Sequence, residues 1–180
     1  MVGSNRYGDV RNILPIRGIG LAASTTKKVL IRRFERETLA GYVNPLSFQQ
    51  PEGVELLTVE GKVLPIAYDE IHSVCFVRDF ASAAEPERRT FNTRPKMEGL
   101  WVSLKFRDGE ILEGIIPNNL LHLEMYGITV IPPDPYSNTQ RIFVPKISLA
   151  AVEVLGVVGS PLKRRKPKPV PADQIGLFEQ

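Results

Sequence analysis

Val102, Leu104 and Phe106 alternate with Ser103, Lys105 and Arg107, and Asp108-Gly109 follows. A period of two puts the apolar side chains on one face of a strand and the polar ones on the other. Asp-Gly accepts the positive φ of a tight hairpin turn at little cost. The return strand runs from Glu110 to Ile116, and Gly114 inside it predicts a bulge or sharp bend. A loop or short turn follows over Pro117 to Tyr126. Gly127 to Ile131 reads as a third strand and Arg141 to Val144 as a fourth, ended by Pro145, which cannot donate to a ladder. Ala150 to Val154 is a fifth. Between the third and fourth, Pro132, Pro133 and Pro135 stiffen a polar loop.

A fainter version of this pattern comes earlier. Val29, Ile31 and Arg33 alternate with Leu30 and Arg32, and Thr38 to Val43 forms a run around Gly41. Gly53 to Val59 is a third strand, and Glu60-Gly61 predicts a hairpin into Lys62 to Ala67. Tyr68, Asp69 and Glu70 suit a short helical turn before a last strand, Ser73 to Val77. An offset of 73 aligns Gly41 with Gly114, Val29 with Val102 and Ile31 with Leu104. An offset of 74 aligns GVELL with GITVI, and 78 aligns Ile71 with Leu149 and Val74 with Val152. The shared order predicts an internal repeat with small loop insertions.

The remaining segments are weakly patterned. Residues 1–27 either lie against the body or stay partly disordered. Residues 81–99 have no clear period, and their charges largely cancel, as expected of a linker. With 180 residues, 43% of them hydrophobic, a real core is expected, and 14 glycines and 15 prolines favour turns over long helices. The net charge of +3 lies wholly in residues 159–180, where five basic residues meet two acids, so the rest of the chain sums to zero. Cys75 is the single cysteine, set in the apolar run VCFV, and reads as a buried thiol in a reducing compartment. No stretch is long enough to cross a membrane as a helix, and ILPIRGIGLAA lacks a signal-peptide layout. A cytoplasmic protein without membrane partners is expected.

Each repeat follows V-x-L-x-x-x-[DG]-x-x-x-x-G, then a middle strand, a hairpin, a strand, a short turn and a last strand. Val102 to Gly114 and Val144 to Val154 carry this most clearly, and it is similar to the Sm-like and SH3-like small barrels. The resemblance implies an all-β fold of two small five-stranded barrels in tandem, over 28–80 and 100–158, with a disordered basic proline-rich tail over 159–180. The sequence lacks the nucleotide pocket and late Arg-Gly box of RNA-binding Sm proteins. The chain also resembles members of an uncharacterised bacterial family with the pattern RPK-x-x-GLW, FRDG, PPD and RIFVP, a resemblance that implies no activity.

The sequence carries little that resembles catalytic chemistry. His72 and His122 lie far apart, neither at metal-ligand spacing from a Cys or a carboxylate cluster. Phosphate loops, dinucleotide fingerprints and serine elbows are missing. Asp108 and Glu110 are read as a hairpin turn and a solvated strand face, and Trp101 as a core or interdomain contact. No catalytic residue, metal or cofactor is expected. Nucleic acid remains a candidate partner: Arg32, Arg33, Lys105 and Arg107 would contact it from the body, and Lys163, Arg164, Arg165, Lys166 and Lys168 from the tail.

The tail ends in QIGLFEQ, three large apolar residues behind a spacer stiffened by Pro161, Pro167, Pro169 and Pro171. Exposed apolar groups on such an arm dock either on the body or in another protein's groove. Gln174 to Phe178 resembles the bacterial sliding-clamp-binding pentapeptide. That resemblance implies Gln174 as a polar anchor, Leu177 and Phe178 as hydrophobic anchors and Ile175 as a secondary contact, with Ile175 and Gly176 departing from the usual residues. The expectation is a non-enzymatic adaptor that docks on the bacterial DNA sliding clamp, aided by weak DNA contact. The alternatives are an Sm-like RNA- or DNA-binding module, or a domain that self-associates through exposed sheet edges. The oligomeric state is open.

Overall fold

The computed structural model describes residues 25–80, 88–119, 124–134 and 136–159. They form an all-β protein. In chain order the strands are β1 (Lys27–Arg33), β2 (Arg36–Val43), β3 (Gln49–Gln50), β4 (Gly53–Thr58), β5 (Val63–Ala67), β6 (Ile71–Val77), β7 (Gly99–Phe106), β8 (Ile111–Ile116), β9 (Gly127–Val130), β10 (Thr139–Pro145) and β11 (Leu149–Val158). A 3-10 turn, Lys146–Ser148, separates the last two. No helix among the described residues is long and apolar enough to cross a membrane.

The predicted turns form for the predicted reasons. Gly109 has φ +88° and Gly61 φ +83°, values that a side chain would strain. The Glu110 amide donates to Asp108 Oδ1, closing the turn from within. Two backbone bonds, Glu70 N–H to Ala67 O and Ile71 N–H to Tyr68 O, tighten the chain where a helical turn was expected.

The strand pairings occur twice, in matching register. Val29 faces Gly41 and Ile31 faces Leu39 across β1 and β2; Val102 faces Gly114 and Leu104 faces Leu112 across β7 and β8. Tyr42 faces Leu57, and Ile115 bridges to Ile131. Val54 faces Ile66, and Ile128 faces Val144. Ile31 faces Val74, and Leu104 faces Val152. These pairs are related by the offsets 73, 74 and 78 read from the sequence. The order β6-β1-β2-β4-β5 in one half therefore corresponds to β11-β7-β8-β9-β10 in the other.

The strands do not segregate into one sheet per half. β10 pairs antiparallel with β6, placing Arg141 opposite Phe76, Ile142 opposite Cys75 and Phe143 opposite Val74. This makes an eight-stranded sheet of β3, β4, β2, β1, β6, β10 and β9, with β5 on β4, beside a three-stranded sheet β11-β7-β8. Where β6 and β10 are covered on both faces, their segments VCFV and IFV are continuous apolar runs rather than alternating ones. Val74 and Phe143 enter one core with Val29, Ile31, Leu56 and Ile71. Their neighbours Cys75, Ile142 and Val144 enter the other, with Val102, Leu104, Phe106 and Leu112. Successive side chains point to opposite faces of a strand, so the two cores lie on opposite faces of the shared seam.

The later part of the expected linker is not a free tether. The Glu113 amide donates to Arg89 O, and the Phe91 amide donates to Glu113 Oε2. Trp101 Nε1 donates to the same carboxylate oxygen, with Phe91 edge-on to its ring. Trp101 is thus half-buried against the linker, with its indole N–H satisfied.

Candidate functional site

Two features of the described residues stand out chemically. The first is a polar node around His72. This residue is the second of β6 and is buried, its ring stacked on Phe106 at 4.0 Å and 12° and tilted against Phe34 at 5.0 Å. The β7–β8 turn brings two carboxylates to it. His72 Nε2 lies 3.1 Å from Glu110 Oε2 and 3.4 Å from Asp108 Oδ2. Nε2 makes no hydrogen bond, because these oxygens are close but out of line for an N–H. The other ring nitrogen, Nδ1, is 3.3 Å from Ser73 Oγ. From the far side, Arg89 Nη1 donates to Glu110 Oε2, and Arg32 Nη2 stands 3.7 Å from that oxygen.

Burial and then the Arg32 guanidinium hold the imidazole below its ordinary value near 6.5, while Asp108 and Glu110 pull the other way. Burial pushes the Glu110 carboxyl up, but Arg89, Arg32 and His72 outweigh it and leave it lowered. Both shifts mean that the unfolded chain binds the protons more tightly. The stability supplied by His72 is complete above its unfolded value near 6.5 and is lost as the pH falls toward its folded value. In chelator-containing buffer, urea midpoints are expected to drop as the pH falls from about 6.5 toward that folded value. His72→Gln should flatten the slope, and an unchanged slope would assign the titration to another group.

The second feature is an open edge. β11 pairs with β7 alone, and β5 with β4 alone, among the described residues. Val152 and Val154 lie opposite Leu104 and Val102, which are fully buried. Yet Val152 is 45% exposed, whereas its counterpart Val74, which β10 flanks, is 0% exposed. Leu64 on β5 is 40% exposed, against 4% for its counterpart Ile142. Val63, Val154, Leu155 and Val157 are exposed as well. An uncovered apolar edge of this length is a template for pairing.

The candidate nucleic-acid residues of the body are largely engaged. Arg32 meets Glu110, and Arg33 Nη1 lies 3.8 Å from Glu70 Oε2. Arg107 stacks over Phe34 at 3.9 Å and donates to Asp69 O. Lys105 is exposed. Gln174, Ile175, Leu177 and Phe178, the basic tail residues 163–168, and His122 all lie outside the described residues. Cys75 is a buried thiol outside any disulfide, as its apolar setting predicted.

Sequence reasoning missed the node. The structure corrects the isolated His72 of the sequence: the carboxylates that meet it come from a turn in the other half of the chain. The one local signal was a histidine at the head of an apolar strand, IHSVCFV.

The described residues define a small all-β protein with a duplicated order of strand pairing and a central seam. The chain belongs to a family of unknown function, DUF6982, whose sequence model matches residues 25–156. No curated protein and no solved structure matches it.

Proposed function

We propose that the protein is a non-enzymatic adaptor whose body assembles head to tail and whose C-terminal peptide docks on the bacterial sliding clamp. The body is read as two Sm/SH3-like five-stranded units. The observation that carries assembly is the pair of open edges. Inside one chain, the last strand of the first unit, β6, is covered by the fourth strand of the second, β10. The counterparts of these two strands, β11 and β5, each have a single strand partner among the described residues. Pairing β11 of one copy with β5 of the next repeats a contact that the chain already makes with itself. The offset of 78 places Val154 opposite Val63 and Glu153 opposite Leu64. Pro65 removes one donor, so the pairing centres on Val63 and Leu64. Such a contact is heterologous and propagates to a ring or a filament.

The docking half of the reading rests on the sequence Gln174 to Phe178 behind its basic spacer. A few hot-spot side chains on a short peptide give modest affinity, and an assembled body would raise it by presenting several such peptides at once.

Sedimentation equilibrium of the full chain tests the assembly. A mass above the monomer is expected, falling to the monomer in Val154→Lys and recovering in the Val63→Glu/Val154→Lys double variant. A monomeric wild type, or a mass unmoved by Val154→Lys, rejects edge pairing. Calorimetry with purified clamp tests the tail separately. Micromolar binding that disappears in Leu177→Ala/Phe178→Ala supports docking, and no heat from the wild-type chain rejects it.

A further inference from the structure

We propose that His72, Asp108 and Glu110 form a binding site for a divalent transition-metal cation, with Zn2+ the best-matched ion. The three ligand atoms lie within 4.8 Å of one another. Two of the spacings, 3.1 Å and 3.4 Å from Nε2 to the carboxylate oxygens, suit donors sharing one ion. Zn–N and Zn–O bonds of about 2.0–2.2 Å place neighbouring ligands of a tetrahedral ion roughly 3.3 Å apart. The donors are one imidazole and two carboxylates, a set that a borderline ion accepts and that gives the dication a neutral ligand and two anions.

The acidic pair alone would be an ordinary polar turn. What points to a ligand is the imidazole. Its Nε2 is buried, 3.1 Å and 3.4 Å from the two carboxylates, and without a hydrogen bond. If Nδ1 carries the ring proton toward Ser73 Oγ, the Nε2 lone pair has two anionic oxygens standing off its axis across a short gap. That arrangement is repulsive when the gap is empty and attractive when a cation fills it. The pattern is that of a metal-ligating histidine, oriented through its second nitrogen. The ring cannot turn away, because Phe106 and Phe34 pack against it.

Arg89 and Arg32 set the strength of the site. Both approach the Glu110 oxygen that would face the ion. They orient that carboxylate, as outer partners of metal ligands do, and their charge opposes the cation. Low-micromolar affinity is therefore expected, rather than that of a structural zinc site. Asp108 and Glu110 are each only partly buried, so water reaches the ion and completes its coordination. The site lies apart from the open edges, so its test is independent of the assembly and docking tests.

The experiment is a Zn2+ titration of the chelator-stripped full chain by calorimetry, with Co2+ absorption to report the ligand field. Removing His72 risks the fold, so the variants are Asp108→Asn and Glu110→Gln, shape-preserving changes on a turn. His122→Gln, at the only other histidine, is the control. One ion per chain is expected, with affinity at least tenfold weaker in Asp108→Asn and in Glu110→Gln. His122→Gln should leave binding unchanged. The proposal is overturned by no binding at millimolar Zn2+, or by binding that survives both carboxylate variants, or by binding lost in His122→Gln.

Discussion

Phe143→Ala is expected to destabilise the protein by about 3–5 kcal/mol, the range for removing a fully buried phenylalanine. Phe143 belongs to β10 by chain position but sits in the core built mainly from β1 to β6. Its ring meets Phe48 edge-on at 5.2 Å, and it faces Val74 across the seam and Thr129 across β9. The void would open between two strands that are covered on both faces, where backbone collapse is hardest, so the upper part of the range is expected. The neighbouring Ile142→Val, in the opposite core, removes one methylene and should cost about 1 kcal/mol. Equilibrium urea unfolding measures both. A loss for Phe143→Ala no larger than for Ile142→Val would mean that the seam does not hold the halves together.

Gly41→Ala should be nearly as damaging, and its counterpart Gly114→Ala should be repairable. A Cβ on Gly41 would stand 2.5 Å from the Leu57 carbonyl oxygen and 2.7 Å from Leu56 Cδ1. The carbonyl belongs to β4, whose Leu57 and Thr58 pair with β2 at this point, so relief requires moving a strand. A Cβ on Gly114 would instead meet Val130 at 2.7 Å from its Cβ and 2.9 Å from its Cγ2, with the nearest backbone oxygen at 3.2 Å. Overpacking of this kind costs about 1–3 kcal/mol, with the backbone clash at the top of the range. Trimming the neighbour tests the distinction. Val130→Gly, which takes away both the Cβ and the Cγ2, should recover part of the loss in Gly114→Ala when measured against Val130→Gly alone, whereas Leu56→Ala should deepen the loss in Gly41→Ala by adding a cavity. Equal rescue in both cycles would remove the argument from the carbonyl.

The strands, the turns and the duplication could be read in the sequence because each depends on local chemistry. Asp108-Gly109 selects its turn, and Val102, Leu104 and Phe106 select their face, whatever the rest of the chain does. The repeat offset that sets Gly41 against Gly114 and Val29 against Val102 is matched by a shared register in the two hairpins. The seam could not be read. A run such as VCFV is compatible with a strand at an edge or one buried on both faces, and only the partner strand decides between them. The same limit hid the His72 node. Asp108 and Glu110 are unremarkable turn residues until the fold lays them against a histidine from the other half. The longer reach of β11, Leu149–Val158, against the expected Ala150 to Val154, has a similar cause, since β7 extends its partner back to Gly99.

The exchange of Phe143 and Cys75 between the cores also bears on how the chain folds and unfolds. Neither half keeps a complete interior when the other is lost: the first would lack Phe143, and the second would lack Cys75 and Val77. A duplication that might have yielded two independent folding units has instead been tied into one cooperative unit. The pairings that complete it join positions far apart in sequence, so they form late, after the local hairpins have bent around their glycines. Once they have formed, a single unfolding transition is expected, because opening one half strips buried side chains from the core of the other.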